Sequence, residues 1–182
     1  MQAQDSQDGS PDAGHTGLVI HAISVADGIL AITQLPGASG CYQTDMNHIR
    51  EWRPGLVISM TTYTEMEAVG ASALGQDVQR AASRWAHLPV EDFGAPGPGF
   101  LARWPEISHM ARKALVGGGR VLVHCKGGCG RSGMVALRLM IESGEVPAHA
   151  LARLRAVRPC AVETTEQMNW AYGERRLPHA PT

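Results

Sequence analysis

The run Val121-Leu122-Val123 has no polar residue at either alternate position. A strand built from it must therefore be covered on both faces. It leads through Lys126-Gly127-Gly128-Cys129-Gly130 into a segment, Arg131 to Glu142, whose apolar residues Met134, Val135, Leu137, Leu139, Met140 and Ile141 lie nearly all round a helix. Such a helix is central rather than superficial. A doubly covered strand that feeds a buried helix through a tight turn is a unit of an α/β fold.

The remaining segments fit that frame. Leu18–Ile23 and Ile29–Thr33 are β-prone runs separated by Ala26-Asp27-Gly28, a hairpin signal, and Pro36-Gly37 closes the second. Thr44 or Asp45 can cap a helix running to Trp52, ended by Pro54-Gly55. Leu56–Met60 reads as a second buried strand, followed by two short helices, Glu65–Val69 and Leu74–Trp85, and a strand at His87–Val90. Glu91 to Gly99 is a Gly/Pro-rich loop. Phe100, Leu101, Trp104, Ile107, Met110, Ala111, Ala114 and Leu115 recur at helical spacing up to Gly117-Gly118-Gly119. Pro147–Val157 and Thr164–Arg176 complete the helices. The expected architecture is a single α/β domain, with a central, mostly parallel sheet flanked by helices.

Length and charge narrow the class. A chain of 182 residues suggests one domain, assigned here to residues 18–178 behind a flexible, polar tail at 1–17. Sixteen Lys and Arg against 17 Asp and Glu leave a formal charge of −1, which gives no electrostatic footprint for nucleic acid. No apolar run is long enough to span a membrane, and residues 1–17 lack the pattern of a secretory signal. Four cysteines, Cys41, Cys125, Cys129 and Cys160, are too few and scattered for a disulfide framework. The expectation is a cytoplasmic monomer with no cofactor.

The turn after the last strand carries the chemistry. Ligands of open α/β sheets bind beyond the carboxyl ends of the strands. Glycines at 127, 128 and 130 let successive N–H groups curl toward one point, where the following helix adds positive potential, so the turn is an anion cradle. Arg131 can set its planar fork on two oxygens of a phosphate. Cys125 then lies on the cradle floor, where the helix dipole favours the thiolate, a nucleophile aimed at phosphorus. Ser132 can hydrogen-bond that sulfur. A metal reading of His124, Cys125 and Cys129 lacks a zinc-knuckle spacing and a second ligand pair.

The segment His124-Cys125-Lys126-Gly127-Gly128-Cys129-Gly130-Arg131-Ser132-Gly133 resembles the His-Cys-x5-Arg-Ser/Thr signature of the cysteine-dependent protein tyrosine phosphatases. Its Gly-Gly-x-Gly-Arg-Ser interior is most similar to the dual-specificity subgroup, within it the kinase-associated phosphatases and their bacterial relatives. The resemblance extends from about Gly28 to Tyr172, including Gly28–Ile32, Glu65, the loop His87–Pro96 and the final helix from Val162.

That resemblance implies a phosphomonoester hydrolase working through a phosphocysteine on Cys125, with Lys126 to Arg131 as the phosphate-binding loop. It implies Asp92 as general acid and, in the second half-reaction, as the base that deprotonates the hydrolytic water, with Glu91 as the neighbouring candidate, and His124 as a residue that orients the loop. Gln167 matches a position that helps place the hydrolytic water, whereas Glu163 stands where many relatives have Gln. A tyrosine-recognition segment and a Trp-Pro-Asp loop are both missing, so phosphorylated proteins, phosphoinositides and other small phosphoesters all remain candidate substrates. A silent phosphate-binding module and a thiol-redox enzyme are the competing classes. In the redox reading Cys129 is the candidate resolving cysteine, and in the phosphatase reading a protective or regulatory disulfide between Cys129 and Cys125 is left open.

Overall fold

The structure, a computed structural model, describes residues 17–173. The expected tail, apart from Gly17, and the last residues assigned to the domain and to its final helix lie outside the described residues. Five strands form one sheet in the order β1-β2-β5-β3-β4: β1 (His21–Val25), β2 (Gly28–Thr33), β3 (Leu56–Ser59), β4 (Arg84–His87) and β5 (Arg120–His124). The β1–β2 pair is an antiparallel hairpin closed by Ala26 and Asp27, and every other pairing is parallel. Seven helices accompany them among the described residues: α1 (Tyr42–Trp52), α2 (Tyr63–Ala68), α3 (Leu74–Arg80), α4 (Pro98–Val116), α5 (Gly130–Glu142), α6 (Pro147–Val157) and α7 (Thr165–Tyr172).

Side chains alternate across a strand, so the parallel strands divide their residues between two cores. Leu30, Ile32, Leu56, Ile58, Val121 and Val123 pack toward α4, α5, α6 and α7. Ala31, Val57 and Leu122 face the other way, onto Met46, Ile49, Met66, Leu74 and Val78 of α1, α2 and α3. Every residue of β3 is buried, as are Val121 to His124 of β5. These runs are continuously apolar for that reason. α5 buries ten of its thirteen residues, as expected of a central helix.

Two expectations need correction. The edge strand β4 lies at Arg84–His87, three residues before the expected start, and α3 ends at Arg80 instead of Trp85. Trp85 belongs to β4 and packs its ring on Gly75 of α3, where a Cβ would collide with it. The chain from Leu88 to Val90 still runs beside β3, with Leu88 N–H donating to Ser59 O and Val90 N–H to Met60 O. It leaves the ladder there to become the loop that carries Asp92.

The parallel strands share a direction, so the segments after β3, β4 and β5 emerge at one edge of the sheet. β5 is central, between β2 and β3, so the turn after it lies next to the segment that follows β3.

Candidate active site

The turn from Cys125 to Gly130 enters α5 without a side-chain cap, so backbone N–H groups at the start of α5 stay available for an anion. Gly128 has φ +69°, and a Cβ there would lie 2.7–2.8 Å from the backbone of Thr33 and Gln34, so only glycine fits. Leu35 N–H donates to Lys126 O. Arg158 donates to Gly128 O and Gly127 O, both at 2.8 Å. These outward-turned carbonyls leave the opposite side of the turn to N–H groups.

Cys125 is buried on the cradle floor, its Sγ 3.2 Å from Ser132 Oγ. Arg131 is 1% exposed. Its Nη1 donates to Glu65 Oε2 and Val90 O, and its Nη2 to Glu65 Oε1, all at 2.8 Å. Asp92 Oδ1 accepts a further bond from Nη2 at 3.1 Å. Both Nη groups are thus engaged. Burial opposes the charge on Glu65, but hydrogen bonds from Arg131 and from the Thr62 N–H outweigh it and hold the carboxyl below its ordinary value. Glu65 is also the third residue of α2, in a capping box with Thr62.

His124 is fully buried at the end of β5. Its Nε2 is 2.6 Å from Ser59 Oγ, which also accepts a 2.8 Å bond from Trp85 Nε1. Burial lowers the imidazole pKa to about 4, so the ring is neutral near pH 7. Gln167 is fully buried: Oε1 accepts from the backbone N–H groups of Glu163 and Thr164, and Nε2 donates to Gly94 O. It thereby ties α7 to the Asp92 loop. Lys126 and Gly127 are exposed at the mouth. Glu91 is exposed too, and Arg131 is bonded to Asp92, not to Glu91.

The sequence left open whether Cys129 pairs with Cys125, and the structure gives Cys129 another partner. Cys129 is disulfide-bonded to Cys160, with Cα atoms 5.2 Å apart, and Cys125 is free. Arg158 Nη2 also reaches Cys129 Sγ at 3.3 Å. Cys160 and Arg158 were not among the sequence candidates, and only the fold brings the α6–α7 connection behind the turn. Glu65 entered only through the resemblance, yet it makes two of Arg131's four bonds. Among the described residues no group of three His, Cys, Asp or Glu side chains could hold a metal ion, and no helix is long and apolar enough to cross a membrane.

Fold and turn together define a domain of the dual-specificity protein tyrosine phosphatase type. The family model described as "Polymorphic toxin system, DSP-PTPase phosphatase" matches residues 33–145, well over half of the chain, and the chain belongs to that family. The pig cyclin-dependent kinase inhibitor 3 is 34% identical over 89 residues, 47% of this chain and 41% of its own. The chain thus spans about two fifths of the length of the curated relatives it matches. A crystal structure of kinase-associated phosphatase, with serine in place of its catalytic cysteine, superposes with TM-score 0.76 at 24% identity, covering 87% of this chain and 94% of the other. Tk-PTP in its active form gives TM-score 0.67 at 27% identity, covering 86% and 98%.

Proposed function

We propose that this protein is a cysteine-dependent phosphomonoester hydrolase, the phosphatase module of a polymorphic toxin system. One observation carries the reading: a buried cysteine sulfur lies 3.2 Å from a serine hydroxyl in the turn that opens α5, beside an arginine whose guanidinium is fixed by Glu65 and touched by Asp92. Phosphate seats on the N–H groups of residues 126–131 and on Arg131, displacing Asp92 from Nη2. Asp92, released from Arg131, takes up a proton from solvent; the Cys125 sulfur then attacks phosphorus while Asp92 passes that proton to the departing oxygen. Water then cleaves the phosphocysteine, and Ser132 Oγ hydrogen-bonds the sulfur as it leaves. His124, neutral and held by Ser59, orients the start of the turn.

Phosphorylated protein is the favoured substrate class. Beside the Asp92 loop a groove of about 620 Å³, lined by Pro96, Leu101, Arg138, Glu166 and Trp170 among others, has room for chain flanking a phosphorylated residue. The monomeric state belongs to this reading as an expectation. The cytoplasmic placement belongs to it on the same terms.

The test is hydrolysis of an aryl phosphate without added thiol or metal, with Cys125→Ser beside the wild type. Turnover that disappears in Cys125→Ser, with binding of tungstate retained, supports the reading. Tungstate binding without wild-type turnover leaves a silent module. Panels of phosphopeptides and phosphoinositides on Asp92→Ala then separate the substrate classes.

A further inference from the structure

The loop between Val90 and Phe100 carries Asp92 and is held from outside at few points. Glu91, Asp92 and Phe93 are exposed, so packing does not fix the part that bears the carboxylate. Glu91 O accepts from Gly94 N–H at 2.8 Å, which closes a tight turn, and a Cβ on Gly94 would lie 2.8 Å from that same oxygen. Phe93, inside the turn, has φ +58°, a conformation unfavourable for a bulky side chain. Such a turn keeps its shape only where its surroundings hold it. Among the described residues, two hydrogen bonds reach residues 91–96 from other elements: Arg131 Nη2 to Asp92 Oδ1, and Gln167 Nε2 to Gly94 O at 3.0 Å. In the phosphatase reading phosphate removes the first. The second is the one left.

Gln167 is fully buried on α7, and its partners fix the amide's orientation. Oε1 accepts from the N–H groups of Glu163 and Thr164, at 3.0 and 3.4 Å, so Nε2 faces the Gly94 carbonyl. Its backbone N–H completes a capping box with Thr164. A Cβ added at Gly130 would lie 2.9 Å from Oε1 and 3.1 Å from Nε2, so the same amide also borders the phosphate-binding turn. The resemblance assigns this side chain to the hydrolytic water. Its oxygen, however, has both lone pairs turned to backbone N–H groups, and orienting a water through it would require giving one up.

We propose that Gln167 is a positioning residue for the general acid: by holding Gly94 O, it keeps the Asp92 turn beside the phosphate-binding turn after phosphate has taken Asp92's place on Arg131. The inference rests on the phosphatase reading above.

The experiment uses Gln167→Glu, which keeps the size and the acceptor oxygen but as a carboxylate cannot donate to Gly94 O, and the neutral Gln167→Met. kcat/KM reports steps up to departure of the leaving group. For β-glycerophosphate, whose alkoxide needs a proton to leave, it should fall about 30-fold, part of the roughly 100- to 10,000-fold that general acid catalysis supplies. For p-nitrophenyl phosphate, whose leaving group departs largely unaided, the fall should stay within about three-fold. In an Asp92→Asn background, where no acid is left to position, either substitution should add less than about two-fold. Tungstate binding shows whether the phosphate-binding turn is intact. Unchanged kinetics, equal losses on the two substrates, phosphoenzyme recovered by acid quenching, or a full further loss in the Asp92→Asn background each overturn the assignment. Loss of tungstate binding in both variants overturns it too, because Gln167 would then support the cradle itself. Absence of wild-type turnover overturns the phosphatase reading instead, so the two failures are distinguishable.

Discussion

Glu65 grips both terminal nitrogens of Arg131 at 2.8 Å, whereas Asp92 holds only one of them, at 3.1 Å. The side chains are 16% and 46% exposed, beside an arginine that is 1% exposed. One carboxylate is therefore a fixed anchor and the other a removable one. Glu65→Ala leaves a buried guanidinium short of its main partner and should cost about 3–5 kcal/mol. Asp92→Asn removes an exposed pair and should cost less than about 1 kcal/mol. Urea unfolding of the two variants compares them directly, and equal losses would mean that Glu65 is no more an anchor than Asp92. The anchor is also acid-labile. Glu65 is held below its ordinary value of 4.5, so its contribution is present above that pH and is lost as pH falls through its lower folded-state value.

Asp92→Asn should separate binding from chemistry. Turnover of an alkyl phosphate should fall roughly 100- to 10,000-fold, with a smaller loss for an activated aryl phosphate that leaves unaided. Because phosphate must take the place of Asp92 on Arg131 Nη2, tungstate affinity should rise, by up to about five-fold for an exposed pair. If Glu91→Gln produces the leaving-group dependence and Asp92→Asn does not, the acid is the neighbouring residue.

His124 makes the fold sensitive to mild acid. Its folded pKa is about 4 against 6.5 for the free group, because burial disfavours the charged ring. The unfolded chain therefore takes up a proton between pH 6.5 and 4 that the folded chain refuses. Stability from this group is complete above 6.5 and declines as pH falls, by roughly 2 kcal/mol at pH 5. Burial lowers His87 in the same direction. Denaturant midpoints at pH 7 and pH 5 measure the slope, and His124→Asn should flatten most of it.

The Cys129–Cys160 bond closes a loop of 31 residues. Chain-entropy arguments assign such a crosslink about 3–4 kcal/mol. Cys160→Ser, or treatment with a dithiol, should lower unfolding stability by that amount. Tungstate binding should weaken only several-fold, because Arg158 still holds Gly127 O and Gly128 O. A variant that keeps wild-type stability in the absence of reductant would show that the bond does not form.

What could be read from the chain depended on contiguity. Cys125, Arg131 and Ser132 lie within one uninterrupted turn and helix start, so their proximity follows from local geometry. The buried strands announced themselves because both faces are covered, as Val57 and Ile58 on opposite cores illustrate. β4 was displaced because Leu74, Val78 and Trp85 imitate a helical stripe, although Trp85 reaches Gly75 from the sheet. The partners of the turn were illegible for another reason. Arg158 and Cys160 follow α6, and only the packing of α6 against α5 and β1 returns them to residues 127–129. Periodicity places an element on a face, but it does not say which loop lies behind another.

The disulfide has a chemical consequence for the nucleophile. Peroxide converts a reactive cysteine first to a sulfenic acid, which a neighbouring thiol can rescue by forming a bond that cellular reductants later open. Cys129, the cysteine nearest in sequence, has its sulfur already committed to Cys160. The remaining free cysteine, Cys41, precedes α1. A sulfenic acid on Cys125 therefore has no free thiol in its own turn to condense with, and its rescue falls to a thiol from solution or to a backbone nitrogen. The crosslink that ties the turn to the α6–α7 connection thus also takes the neighbouring thiol away from Cys125.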